Sequence, residues 1–206
     1  MRKKWIIIIV SVSILLICLA FIGPIMSNVE NPKYKITSSS KNIEIRKYEK
    51  TIVAETKVEE KESEESRSKS IKHGFKTLAN YIFGKNSLNE KIKMTSPVTQ
   101  EKVDNYWKIR FFMPSKYSFA DLPKPNTDNI KIKEINEKTY AVIKFSGSIN
   151  NKNLENNTKI LEEFLIDKKI KNTKSKIYAF YNPPWTLPFF LRNEVMIEIL
   201  EHEKSE

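Results

Sequence analysis

Histidine, cysteine and glycine are scarce in this chain of 206 residues: His73 and His202, Cys18, and four glycines. A serine or cysteine hydrolase needs an imidazole that can meet its nucleophile. Here no Gly-x-Ser-x-Gly turn raises a serine, and the single cysteine lies in an apolar N-terminal run. Cradling a phosphate takes several glycines in one loop, and no two of these glycines are close together. Metal sites need His, Cys or carboxylates clustered at ligand spacing. The one acidic cluster, Glu59 to Glu65, reads as a solvated loop. With one cysteine there is no internal disulfide, so stability must come from core packing.

What the chain does have is positive charge, formally +11. The lysines and arginines are scattered through Asn- and Ile-rich text, and no helix-turn-helix, zinc or RNA-binding signature accompanies them. Nucleic acid is therefore not an expected partner, whereas anionic lipid headgroups or an anionic ligand are. One long apolar run is present, Trp5 to Ile22, extended by Gly23-Pro24-Ile25-Met26. At about 1.5 Å per residue it crosses a hydrocarbon core of about 30 Å. It exceeds the apolar region of a secretory signal, no small-x-small cleavage site follows, and Leu15-Leu16-Ile17-Cys18 lacks the small residue of a lipoprotein site. The segment 1–27 is thus expected to be an uncleaved transmembrane helix. Arg2, Lys3 and Lys4 are matched by Lys33, Lys35 and Lys41 beyond the span. The compact N-terminal cluster favours a cytoplasmic N-terminus, with the domain outside.

Residues 28–42, with Ser38-Ser39-Ser40, read as a polar tether, residues 43–202 as the folded domain, and 203–206 as a charged tail. Ile43 to Tyr48 and Thr51 to Val58 have strand character. Between residues 71 and 82 the period changes: Ile71, Phe75, Leu78 and Ile82 fall within about 60° at 100° per residue, an amphipathic helix ending near Gly84. His73 projects from the opposite side of that helix and reads as a solvated residue rather than an iron ligand. Strands are predicted at 97–103 and 107–113. The second half repeats the plan. Ile43-Glu-Ile-Arg-Lys-Tyr-Glu-Lys-Thr51 is echoed by Ile130-Lys-Ile-Lys-Glu-Ile-Asn-Glu-Lys-Thr139. Each echo runs into an apolar strand; the second helix carries Leu154, Leu161, Phe164 and Leu165, and after each helix come a Pro-containing corner, Met94 to Pro97 and Tyr181 to Pro184, and a final strand. Two strand-strand-helix-strand-strand units with a cleft at their junction are the simplest account.

Between Tyr178 and Phe190 the chain reads Tyr-Ala-Phe-Tyr-Asn-Pro-Pro-Trp-Thr-Leu-Pro-Phe-Phe, with three prolines that stop a regular strand. So apolar a loop packs on its own domain, meets a membrane, or lines an apolar ligand site.

Several short motifs occur in order: Glu44-Ile-Arg-x-Tyr48, Tyr81-Ile-x-Gly-x-Asn86, Ile92-x-Met-Thr-x-Pro-Val98, Met113-Pro114, Leu122-Pro-x-Pro125, Phe145-Ser-Gly147, Tyr181-Asn-Pro-Pro184 and Arg192-Asn-Glu-Val195. In this order and spacing the chain resembles the SOUL haem-binding protein family, over roughly Ile43 to Leu200. The resemblance implies an α+β fold: a distorted eight-stranded β-barrel with two helices, built as a pseudo-twofold repeat. It also implies reversible binding of haem or a related tetrapyrrole in an apolar cleft. By position that cleft is lined by Lys72, Phe75 and Ala79 of the first helix and by Trp185, Thr186, Leu187 and Phe189 of the Pro-rich loop. Phe75, Trp185 and Phe189 offer flat apolar surfaces, and Lys72 or Lys76 a partner for propionates. Some members carry His where this chain has Lys47, so a weak haem site without a defined axial ligand is expected.

The expectation is a membrane-anchored, non-enzymatic haem or tetrapyrrole binder. An effector-binding scaffold for other apolar or cationic small molecules is the alternative. A third reading is small-ester hydrolysis with Glu194 as the carboxylate, against which stands its use in holding a nearby backbone or Arg192.

Overall fold

Alternation is clearest in Tyr106–Phe112, where Trp107, Ile109 and Phe111 are buried and the residues between them are half-buried. That is the period of a strand with one face against a core. The computed structural model describes residues 29–60, 63–183 and 185–200. In chain order the elements are β1 (Tyr34–Ser40), β2 (Ile43–Tyr48), β3 (Thr51–Glu59), α1 (Glu64–Ile82), β4 (Val98–Val103), β5 (Tyr106–Phe112), β6 (Ile130–Ile135), β7 (Lys138–Phe145), α2 (Asn151–Asp167), β8 (Asn172–Phe180), a 3-10 turn (Pro188–Phe190) and β9 (Asn193–Ile199). The predicted anchor, His202 and the charged tail lie outside the described residues. Among those described, no helix is long and apolar enough to cross a membrane.

All strands join one antiparallel sheet in the order β1-β2-β7-β9-β8-β4-β5-β3-β6. The two repeats are visible in it. One row across the sheet passes Ile43, Ile143, Val195, Tyr178, Gln100, Ile109, Thr56 and Ile130. The roles along that row are symmetric about the Tyr178–Gln100 pair, so the pseudo-twofold axis passes between β8 and β4. The first strand of each repeat is exchanged: β2 lies on β7 and β6 on β3. Each helix covers its own half. Leu78, Tyr81 and Ile82 of α1 pack with Ala54, Ile109 and Phe111, and Leu161 and Leu165 of α2 with Ala141, Val195 and Ile197.

Three expectations are corrected. The sheet has nine strands rather than eight and is an open curl rather than a closed barrel, with β1 and β6 as its edges. The ninth strand comes from residues read as tether: β1 pairs with β2 from Tyr34↔Tyr48 to Ser40↔Ile43. Its backbone supplies the pairing while its side chains are almost all exposed, so no hydrophobic pattern announces it. The third correction is the helix stripe. Gly74 faces the sheet so closely that a Cβ there would meet Ile109 Cδ1 at 2.5 Å. The buried side of α1 therefore runs through Gly74, Leu78, Tyr81 and Ile82, and Phe75 is left 40 % exposed, its ring edge-on to Phe111 at 5.1 Å.

Candidate functional site

Period two places Glu44, Arg46 and Tyr48 on the face of β2 turned away from the helices, and three of the motifs meet on that face. Arg46, fully buried, donates from Nη1 and Nη2 to the two oxygens of Glu194 on β9, at 2.8 and 3.1 Å, and from Nε to Glu44 at 2.6 Å. Arg192 adds bonds of 3.0 and 2.8 Å to Glu194 Oε1, and the Tyr181 hydroxyl donates to Oε2 at 2.8 Å. The guanidinium groups of Arg46 and Arg192 also lie over the rings of Tyr34 and Tyr181, at 4.6 and 3.7 Å. Burial alone would loosen the Arg46 proton, but hydrogen bonding to and the charge of Glu194 outweigh it and hold the arginine above its ordinary pKa. Burial, reinforced by the Glu194 charge, pushes the Tyr48 phenol up to about 12 and raises Tyr181 well above the ordinary value. Both Glu194 oxygens are thus taken inside a closed cluster, so Glu194 is not a free carboxylate. A second cluster serves the first half: Glu55 accepts from Arg110 at 2.8 Å and Lys133 at 2.6 Å, and Arg110 also bonds Glu101 at 2.8 Å.

Between the clusters the curl is filled. A hollow of about 40 Å³ lined by Tyr48, Thr99, Arg110, Tyr140, Ile177 and Met196 remains. Small-molecule sites run to roughly 300–1,000 Å³, so no ligand of that class fits there.

The Pro-rich loop is an aromatic shelf. Trp185 is 62 % and Phe189 66 % exposed, with Leu187 and Phe190 beside them, and the Phe189 and Phe190 rings lie 4.5 Å apart. Thr186 is buried beneath, and its Oγ1 has no hydrogen-bond partner. The loop is pinned at both ends: Gly147, at φ +101°, donates from N to Pro188 O at 2.9 Å, and Arg192 N donates to Asn182 Oδ1 at 2.6 Å. The α1 residues of the expected site are less committed to it. Lys72 and Phe75 are exposed, and Ala79 packs into the first core. Among the described residues no hydrogen bond, ion pair or ring contact joins Lys72, Phe75 or Ala79 to Trp185, Thr186, Leu187 or Phe189. Elsewhere α1 reaches the start of α2, where its Arg67 donates to Asn151 Oδ1 at 3.1 Å.

These residues suit a porphyrin ring better than its iron. Exposed ring faces, an orphaned hydroxyl and the exposed cations of Lys72 and Lys76 are present, whereas no imidazole or sulfur belongs to the loop. His73 stands on the exposed face of α1. The pairing of Glu194 with Arg192 is the one expected against a hydrolase; motif reading missed that Arg46, Tyr48 and Tyr181 join it. The available signal was the two-residue spacing within Glu44-Ile-Arg-x-Tyr48, which puts all three polar side chains on one face of a strand.

The architecture defines a two-repeat curled-sheet α+β domain. That fold is shared with the C-terminal domain of EcmrR, with TM-score 0.58 and 12 % identity over 82 % of this chain and 98 % of that one. It is shared too with a hydrolase from Listeria innocua, with TM-score 0.54 and 10 % identity over 80 % and 94 %. At such identities the likeness is one of fold alone. Heme-binding protein 2 of Homo sapiens is 31 % identical over 168 residues, 76 % of this chain and 80 % of that protein. Residues 29–198 match the family described as SOUL heme-binding protein, and the chain belongs to that family. The match begins before β1, in agreement with a domain that includes the ninth strand.

Proposed function

We propose that the protein binds haem or a related tetrapyrrole reversibly on the aromatic shelf, at the outer end of a membrane anchor, and carries out no catalysis. The observation that carries this reading is the exposure of Trp185, Leu187, Phe189 and Phe190 within six residues of one loop, which also holds the unpartnered hydroxyl of Thr186. A contiguous apolar patch calls for a partner where scattered apolar residues do not. Trp185 and Phe189 would hold the ring by stacking, Thr186 would meet a polar edge atom, and Phe75 and Ala79 would extend the wall. Lys72 or Lys76 would pair with the propionates. When bound, haem supplies a redox-active iron. The residues here hold its ring and leave ligation weak, since Lys47 stands where some members carry His. Residues 1–27 are the anchor in this reading, with the N-terminus in the cytoplasm and the domain outside.

Hemin titration of the full chain against a protein-free micelle blank tests the proposal. A saturable Soret shift is expected, weakened in Trp185→Ala. Absence of any shift would remove haem as the ligand. If a lipid or drug-like compound then raised the thermal midpoint where hemin did not, the effector-scaffold reading would replace it.

A further inference from the structure

A second hollow, of about 310 Å³, is lined by residues 30–33, which precede β1, the β2–β3 turn, Thr95, the loop after β5, and Glu134 of β6. Its size falls at the lower bound of small-molecule sites, roughly 300 Å³. Along the β2–β7 pair it lies at the Tyr48 end, whereas the aromatic shelf lies at the Phe145 end. The six residues of β2 separate the two by about 20 Å.

The walls are stapled by backbone. Glu30 O accepts from Ser96 N at 2.9 Å, Lys33 O from Glu49 N at 3.0 Å, and Glu30 Oε1 from Ser115 N at 2.7 Å. The Glu30 carboxylate is therefore fixed at the rim rather than free to swing away. Three carboxylates, Glu30, Glu49 and Glu134, face two ammonium groups, Lys33 and Lys50. Lys50 is spent on Glu134 at 2.8 Å. Among the described residues, the Glu49 carboxylate and Glu30 Oε2 have no hydrogen bond or cation, and Lys33 is the one lining ammonium not spent on a carboxylate. The lining side chains themselves carry three carboxylates to two ammonium groups in a chain of formal charge +11, and beside Glu49 and Glu30 Oε2 a cation is favoured over an anion at close range. Ile52, Phe112, Tyr117 and the half-exposed Phe119 give the cleft an apolar, aromatic part, and polar groups such as Asn31, Thr51, Thr95, Ser115 and Ser118 line the rest. A ring here already takes a cation: Lys116 Nζ sits 4.5 Å from the Tyr117 ring centroid.

We propose that this cleft is a binding site for small amphipathic organic cations, an ammonium carrying an aromatic or bulky apolar body. The charge seats between Glu30 and Glu49, and the body lies against Phe112 and Phe119. The site is independent of haem and of the shelf.

Calorimetric titration of the full chain with benzyltrimethylammonium tests it, with tetramethylammonium and benzenesulfonate as comparison ligands. Saturable binding of benzyltrimethylammonium is expected, at least tenfold tighter than either comparison ligand. The double variant Glu30→Gln, Glu49→Gln keeps the acceptor for Ser115 and should weaken binding at least tenfold, with the hemin titration unchanged. Should that variant not fold, Phe119→Ala, altered at a half-exposed side chain, is expected to weaken the aromatic cation and leave tetramethylammonium as it was. No saturable binding, equal binding of benzenesulfonate or tetramethylammonium, or an unaffected folded variant would each overturn the proposal. None of these results bears on haem, whose titration is read separately.

Discussion

The Arg46–Glu194 cluster and the 185–190 shelf lie on the same half of the sheet and differ in almost every respect. The cluster is buried, charged, saturated with hydrogen bonds and assembled from three of the motifs by which the family is recognised. The shelf is exposed and apolar and has an unsatisfied hydroxyl, and it falls between motifs rather than in them. The signature of this chain is therefore mainly a signature of architecture. The same holds in the first half, where Tyr81 donates to Pro123 O at 2.8 Å and Asn86 ties Tyr81 O to Glu90 O at 2.9 and 2.7 Å. Those motif residues close a corner between α1 and the 122–125 loop, and none of them reaches a ligand surface.

Breaking the cluster should have the largest effect. Glu194→Ala leaves two arginines facing each other, one fully buried, at a cost of about 3–5 kcal/mol. In a domain of this size that lowers the thermal midpoint by on the order of 10 °C, while hemin binding by the molecules still folded should persist. Trp185→Ala should do the opposite. Hemin affinity falls by about tenfold, roughly 1.4 kcal/mol, with a stability change within about 0.5 kcal/mol because the side chain is mostly exposed.

Smaller effects separate the two ion clusters by pH. For Glu55, burial works against ionisation, but the hydrogen bonds from Lys133 and Arg110 prevail and hold the carboxyl below the usual range. A lowered native pKa means stability that is present above the ordinary carboxylate value of about 4.3 and is lost as pH falls through the lower native one. Acid unfolding of Glu55→Gln, followed by circular dichroism, should accordingly be flatter over that interval. Burial puts Tyr48 and Tyr81 both at about 12. The stability linked to them is present below about pH 10 and is lost as pH rises through 12. Alkaline absorbance titration should show these phenols ionising together with unfolding. The smallest effect expected is none: His73→Ala should leave hemin affinity unchanged, since the imidazole stands on the exposed face of α1.

Much of this fold was legible in the residues because a repeat leaves a local trace. The echo of 43–51 in 130–139 and the two helical periods located both units. Strand exchange between the repeats was not legible, since pairing of β2 with β7 and of β6 with β3 joins segments 74 to 100 residues apart without altering either one's pattern. β1 escaped because an edge strand rich in serine is held by backbone bonds and buries almost nothing. The aromatic loop was conspicuous for the opposite reason, as a run of large apolar side chains that prolines keep out of any strand. Its relation to α1 was harder to read. Gly74 lets the helix press on Ile109 and turns the buried side so that Phe75 faces partly outward. The 310 Å³ cleft left no trace at all, because its walls come from separated segments.

The separation of architecture from ligand surface is tested most directly by taking Glu194→Ala and Trp185→Ala through one paired experiment, hemin titration and thermal unfolding on the same samples. The account predicts a crossed result: Glu194→Ala loses stability and keeps its affinity per folded molecule, and Trp185→Ala loses affinity and keeps its stability. Wild-type hemin affinity in Trp185→Ala would contradict it, as would loss of hemin binding by folded Glu194→Ala.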